Sequence, residues 1–181
     1  MRTRPSLGHQ IGERSSHSGH VGFGGSEAEV LSEAEAAVLA AIALVNDPEY
    51  PGVSIVDLGL LEHVEVRNGI AGIGIIPTFS GCPALEMIRS EVELAVRAVP
   101  GIESVSVSWL TSPAWTADRV SKRGREALAS EFTVAVQIGD RAPTCPLCGA
   151  PTAEKSMFGP SRCRSIHRCD SCSETVEVMR G

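Results

Sequence analysis

The sequence predicts an α/β protein of the α+β kind: a small mixed sheet with helices packed on it, followed by a compact ribbon built on four cysteines. Three observations predict it. Apolar residues between positions 30 and 138 switch repeatedly between a helical period and a strand period. Asn68-Gly69 lies between two alternating segments, where it reads as a two-residue hairpin turn. Cys145, Cys148, Cys169 and Cys172 are spaced C-x2-C-x20-C-x2-C, two knuckles that can aim four thiolates at one centre.

Residues 1–25 are rich in Gly, Ser, His and Arg and carry almost no periodic apolar residues, which predicts a disordered tail. His9, His17 and His20 in it read as solvated linker rather than as a metal tract. A helix follows, with Val30, Leu31, Ala34, Ala37, Val38, Ala41, Ile42 and Val45 on one face. Ser32-Glu33-Ala34-Glu35 reads as a capping box, and Ser26 offers an earlier start. Pro48 ends the helix, because the residue before a proline avoids the α region.

A short apolar stretch, 51–60, encloses Asp57. Strands are predicted over 61–66 and 70–76, with Gly72 and Gly74 leaving room for something close by. A second helix is expected over 83–98, with Leu85, Ile88, Val92, Val96 and Val99 as its stripe. Val105, Val107 and Trp109 alternate as a third strand, residues 116–130 form a more polar helix, and 132–138 are extended. The predicted order is thus α-β-β-α-β-α, with no internal repeat, and the ribbon occupies 140–181.

Aromatic residues are 4% of the chain, so the core must be aliphatic. Of the net charge of −6, residues 1–26 contribute +2 and residues 140–181 contribute +1, so residues 27–139 carry −9. That balance argues against a nucleic-acid partner. Arg162, Arg164, His167 and Arg168 form a small basic patch, read here as a protein-docking or solvated surface. No apolar run is long enough to span a bilayer and the N-terminus lacks the apolar core of a signal peptide, so no membrane role is expected. Cysteines grouped as metal knuckles suit a reducing, cytoplasmic compartment.

Thiolate ligands make zinc the first choice for the four-cysteine ribbon, with rubredoxin-like iron second and disulfides as the competitor. With all four positions filled by Cys, such a zinc is structural. Cys82 is a different case. In Thr78-Phe-Ser-Gly-Cys-Pro83 it stands between a strand and a helix. Pro83 is suited to the first helical position, which makes Cys82 the expected N-cap. There the helix dipole would lower its pKa and favour a nucleophile or metal ligand; a small buried Cys at a corner is the bland alternative. Asp57, set among Ile55, Val56, Leu58 and Leu60, must be paired, hydrogen-bonded or face a cleft, or it caps a turn. If Asp57 and Cys82 shared a pocket, a thiol and a carboxylate could hold a metal transiently. His63, on an alternating strand, reads as a surface residue.

Three stretches together resemble a known superfamily: Asp47-Pro-Glu-Tyr-Pro51, Ser54-Ile-Val-Asp-Leu-Gly59 and Pro77-Thr-Phe-Ser-Gly-Cys-Pro-Ala84. They are similar to the small domain shared by bacterial SufT-like proteins and the eukaryotic cytosolic iron–sulfur targeting factors. Cys145-Pro-Leu-Cys-Gly149, Phe158-Gly-Pro-Ser-Arg-Cys163 and His167-Arg-Cys-Asp-Ser-Cys-Ser-Glu174 resemble the C-terminal zinc ribbon of the PaaD (PaaJ) family. PaaD proteins are the D subunits of the phenylacetyl-CoA epoxidase system. The resemblance covers roughly residues 30–180; Pro160 and His167 depart from it, at positions where a Ser and an aromatic are expected.

The resemblance implies an iron–sulfur assembly domain over 26–139 and a non-catalytic accessory role in phenylacetate catabolism. It implies that Cys82 is the cluster-handling or reactive thiol, a transient site for iron or an iron–sulfur cluster, with Asp57 and Thr78 lining its pocket. Cys145, Cys148, Cys169 and Cys172 become zinc ligands, and Cys163 matches the family's extra Cys, whose role the sequence leaves open. The expected partners are the reductase or other subunits of the epoxidase and iron–sulfur assembly proteins, with a homodimer left open. Two other readings stand beside this one: a structural subunit of the oxygenase without metal trafficking, and a Cys-based enzyme acting on a CoA intermediate.

Overall fold

The computed structural model describes residues 31–180, which form one compact unit. The tail expected over residues 1–25, its histidines, and a helix start at Ser26 lie outside the described residues. Helix α1 spans Glu33–Ile42 and begins with the expected capping box. Ser32 Oγ accepts from the Glu35 N–H (3.2 Å), and the Glu35 carboxylate accepts from the Ser32 N–H (2.9 Å). Val38 and Ile42 are its fully buried residues. Strands β1 (Asn46–Asp47) and β2 (Tyr50–Ser54) then form a two-stranded ladder that the sequence pattern did not announce.

Strands β3 (Leu61–Arg67), β4 (Ile70–Ile75) and β5 (Ser104–Trp109) make a three-stranded sheet in the order β3-β4-β5. β3 and β4 are antiparallel across the predicted hairpin. Asn68 (φ 50°) and Gly69 (φ 76°) are both left-handed, as a type I′ turn demands. β4 and β5 are parallel and are joined through helix α2 (Leu85–Arg97), whose Ile88, Val92 and Val96 are buried. The space predicted beside Gly74 is filled from within. His63, its partner in the ladder, lays its imidazole where a Cβ on Gly74 would stand. His63 is otherwise exposed, as expected.

The predicted helix over 116–130 is divided. A single 3-10 turn covers Ala117–Arg119, and helix α3 covers Lys122–Phe132. Ser121 causes the break: its extended backbone (φ −62°, ψ 162°) makes it an N-cap, and its Oγ accepts from the Gly124 N–H at 2.9 Å. A second difference concerns sheet organisation. Strand β6 (Val134–Val136) pairs in parallel with β9 (Thr175–Met179), giving a four-stranded sheet β6-β9-β8-β7 with β7 (Thr152–Ser156) and β8 (Arg164–Cys169). The ribbon's sheet therefore crosses the boundary expected at 139/140. Val134 and Met179 bury into the main aliphatic core, while Ala135, Val176 and Val178 pack beside Cys145 and Cys169. Alternation along β6 and β9 sends successive side chains to opposite faces, so both clusters share these strands.

Candidate functional site

Two groups of thiols stand out. In the ribbon, each C-x-x-C turn closes on itself: the Gly149 N–H donates to the Cys145 carbonyl (2.8 Å) and the Ser173 N–H to the Cys169 carbonyl (3.1 Å). Gly149 adopts φ 73° to make the first turn and Ser173 φ 63° the second. These turns bring all four Sγ atoms within 4.8 Å of one another. Cys145–Cys172, Cys148–Cys169 and Cys148–Cys172 are 3.7, 3.4 and 3.6 Å apart. The S–S edge of a tetrahedron with ~2.3 Å metal–sulfur bonds is about 3.8 Å, so the thiols fit a tetrahedral metal ion. A disulfide needs about 2.05 Å, and all six cysteines are free. The geometry therefore favours metal over the disulfide alternative.

The cluster also has the electrostatics of a cation site. The Cys172 N–H donates to Cys169 Sγ (3.4 Å) and, as the leading cause, draws that thiol down to about 6. The Glu174 N–H acts in the same sense on Cys172, but protons shared with Cys169, Cys148 and Cys145, together with burial, hold it up to about 12. Four sulfurs this close cannot all be ionised without a cation among them. Cys145 and Cys169 are buried, while Cys148 and Cys172 face solvent.

Cys82 sits elsewhere. Helix α2 starts later than expected, with Ala84 as its N-cap residue, so Cys82 lies in the preceding turn and is not the cap. Its N–H donates to the Phe79 carbonyl (3.1 Å), and its own carbonyl accepts from Leu85 (3.3 Å). Burial pushes the thiol upward, and the Ala84 N–H offsets only part of that shift. The lowered pKa expected from the helix dipole is overturned: desolvation of a half-buried thiol outweighs one aligned amide.

Cys82 and Thr78 line one cleft of about 280 Å³, with Glu49 and Phe79 from the same domain. Its other wall comes from the ribbon: Pro160, Ser161, Arg162 and Cys163. The residue that holds this wall in place is Arg164, whose side chain is 8% exposed. Its guanidinium donates to Glu49 and to Glu177, each at 2.7 Å, and to Ser161 Oγ at 2.8 Å, and lies 5.4 Å from the Tyr50 ring centroid. Glu49 and Tyr50 belong to Asp47-Pro-Glu-Tyr-Pro51, so Arg164 docks the ribbon loop directly onto a motif of the first domain. The basic patch read from sequence thus separates. Arg164 and His167 are buried, His167 between Thr152 Oγ1 (3.2 Å) and Ser165 Oγ (3.1 Å), while Arg162 and Arg168 are more open to solvent.

Asp57 does not line this cleft. Its carboxylate accepts from Ser54 Oγ (2.9 Å), Ser121 Oγ (2.7 Å) and Arg123 Nε (2.9 Å), and its carbonyl from the Ser121 N–H (2.8 Å). The Arg123 guanidinium, chiefly, holds its carboxyl below the usual aspartate range. A Cβ on Gly124 would come 2.7 Å from the Asp57 carbonyl oxygen, so this close approach requires glycine. Asp57 therefore pins the start of α3 to the 54–60 turn, because its lone pairs are spent on Ser54, Ser121 and Arg123, none of which lines the cleft. The shared Asp57–Cys82 pocket is corrected accordingly. Cys163 is the residue that sequence reasoning left without a role. Its signal was present: it is the only cysteine besides Cys82 outside the two knuckles.

Two family models match separate parts of the chain. Residues 35–109 match a family described as iron–sulfur cluster assembly protein, and residues 129–180 match the PaaD zinc beta ribbon domain. A protein of Escherichia coli K12 named as the D subunit of a 1,2-phenylacetyl-CoA epoxidase is 32% identical over 151 residues, covering 79% of this chain and 90% of that one. The chain belongs to the D-subunit family of the phenylacetyl-CoA epoxidases. Its first domain has further relatives: the iron–sulfur protein maturation auxiliary factor SufT of Staphylococcus aureus is 35% identical over 86 residues, 47% of this chain and 97% of its own length. A crystal structure of a DUF59 domain from Bacillus anthracis superposes with a TM-score of 0.51 at 33% identity, covering 54% of this chain and 92% of that one. Each of these covers about half of this chain. Among the described residues no helix is long and apolar enough to cross a membrane.

Proposed function

We propose that this protein is an accessory that assembles or delivers iron–sulfur clusters within the phenylacetyl-CoA epoxidase system, in the cytoplasm, and is not itself the oxygenase. Cys82, with Thr78 beside it, handles iron or a cluster transiently. The four ribbon cysteines hold a structural zinc, and the ribbon docks the client, for which the reductase subunit is the candidate. The observation that carries this reading is the position of Cys82. Among the described residues it makes no sulfur–sulfur contact, and it lies at a cleft, in a domain similar to iron–sulfur maturation factors. A four-thiolate site encloses its metal; a solitary thiol leaves coordination positions for a donor and an acceptor, which transfer requires. What the Escherichia coli relative and SufT of Staphylococcus aureus are named for supports the pairing of the two roles in one chain.

The test is genetic and spectroscopic. The epoxidase reductase subunit, purified from a strain lacking this protein, should carry less iron and acid-labile sulfide than the same subunit from the parent strain. Complementation with the wild-type chain should restore the cluster, and complementation with Cys82→Ser should not. A fully loaded reductase in the deletion strain would sink the proposal.

A further inference from the structure

Cys163 is the one cysteine for which neither the knuckle geometry nor the superfamily motifs account, and it opens on the same cleft as Cys82. We propose that Cys82 and Cys163 together form a second thiolate site at the seam between the two domains, separate from the ribbon's four-cysteine centre. Its ligand is a thiophilic metal cargo, with one protein ligand from each domain. This rests on the proposed metal-handling role of Cys82 and adds to it a second ligand, supplied by the ribbon.

Four observations support the site. First, both thiols are half-buried and both line the 280 Å³ cleft, so neither is sealed in a core. Second, the Cys163 loop is held rigidly. The Arg164 N–H donates to the Ser161 carbonyl (3.1 Å), the Gly159 N–H to the Arg164 carbonyl (2.8 Å), and the Arg180 N–H to the Cys163 carbonyl (3.1 Å). Arg164 then ties the loop to Glu49, itself a residue of the cleft. A buried arginine shared by two carboxylates is a costly arrangement unless it fixes something in register, and what it fixes here is Cys163 opposite Cys82. Third, Ser161 Oγ lies 3.1 Å from Cys163 Sγ, within reach to donate to a thiolate. Fourth, Arg162 stands at the rim with its guanidinium 5.4 Å from the Phe79 ring centroid, also in the lining. A metal bound by two thiolates carries little positive charge or becomes anionic, and a guanidinium at the rim offsets that charge.

The ligand count suits the task. Cys82 and Cys163 line one cleft, one thiol from each domain. Binding a divalent metal releases the two thiol protons to solvent, and two of four tetrahedral positions stay with ligands from outside the chain. The cargo can therefore be passed on by ligand exchange, whereas the four-cysteine centre has no position to exchange.

The experiment uses the full chain loaded with one equivalent of zinc, which fills the ribbon, and then titrated anaerobically with cobalt(II). Thiolate-to-cobalt charge-transfer absorption reports the sulfur ligands, and zinc content per chain reports an intact ribbon. The wild-type chain is expected to take up one cobalt with a charge-transfer band. Cys163→Ser and Cys82→Ser should each cut that band about twofold or more and weaken cobalt affinity at least tenfold, with zinc unchanged at one per chain. The Cys82→Ser/Cys163→Ser double variant should show no band. A Cys163→Ser chain that matches wild type, while Cys82→Ser loses the band, overturns the two-thiol site but leaves the proposed role of Cys82 standing. A wild-type chain with no band overturns both. Cys163→Ala, which removes the thiol without adding a hydroxyl ligand, should behave as Cys163→Ser; retention of the full band in it overturns the site as well.

Discussion

The ribbon's four cysteines and the Cys82 cleft hold the same chemical group under opposite conditions. In the ribbon, knuckle turns bring the sulfurs to 3.4–3.7 Å, where their full ionisation needs a cation among them. At the cleft, Cys82 belongs to no knuckle and burial raises its pKa, so the free thiol stays protonated. In the proposed function, the first arrangement turns metal affinity into folding stability and the second keeps a ligand free for exchange. Cysteine alone therefore says little about role, and the number of thiolates converging on a point says most of it.

The comparison breaks most sharply if the metal centre is removed. Structural zinc contributes on the order of 10 kcal/mol to small zinc modules, so Cys145→Ser, or a chelator, should unfold the ribbon and its partner strand β6. Circular dichroism and a loss of protection in β8 and β9 amides would show it. The matching change at the other site, Cys82→Ser, should alter thermal stability by less than about 0.5 kcal/mol. Equal losses for the two variants would erase the distinction between clamp and exchange site.

Arg164 connects the two regions, and Arg164→Met should come next in size. It strands Glu49 and Glu177, which are part-exposed and so recover some hydration. A cost of about 2 kcal/mol is expected in chemical denaturation. The same variant should speed alkylation of Cys82 and Cys163 while the zinc stays bound. Unchanged alkylation would mean that Arg164 does not hold the ribbon wall of the cleft in place.

A smaller effect than that of Arg164 belongs to Asp57. Asp57→Asn should cost about 1–2 kcal/mol at neutral pH by weakening its bonds to Arg123, Ser121 and Ser54, with the cobalt uptake proposed for the cleft unchanged, because the carboxylate lies outside the cleft. The sign of its pH dependence is fixed. A carboxyl whose folded pKa is depressed stabilises fully above its unfolded value and loses that contribution as pH falls through the folded one. The gap between wild type and Asp57→Asn should therefore be constant from about pH 5 upward and close below about pH 4. A gap that widens in acid would show that Asp57 is not the stabilising ion in this turn.

Much of this was legible in the chain. Capping at Ser32, the Asn68-Gly69 hairpin, the α2 stripe and the four-cysteine centre are local patterns, each set by residues within a turn or two of one another. The misreadings fall where a local rule met a distant partner. Pro83 suggested a cap at Cys82, but the turn delays the helix to Leu85. Ser121 divides a segment whose apolar spacing alone suggested one helix. Asp57 looked like a pocket acid because its partners Ser121 and Arg123 lie more than sixty positions away. The β1–β2 ladder and the role of β6 escaped because strands this short carry too few residues for a period to register.

The sequence by itself determined that the chain has a thiol-rich metal centre, an aliphatic mixed-sheet domain before it, and a solitary cysteine at a strand-to-helix corner. Spacing and periodicity are properties of neighbours, and these features need nothing more. Only the tertiary structure decided that Asp57 is a brace, that Arg164 is buried, and that Cys163 stands across a cleft from Cys82. Those outcomes depend on which distant groups desolvate and pair with one another, and no local pattern in the chain encodes that.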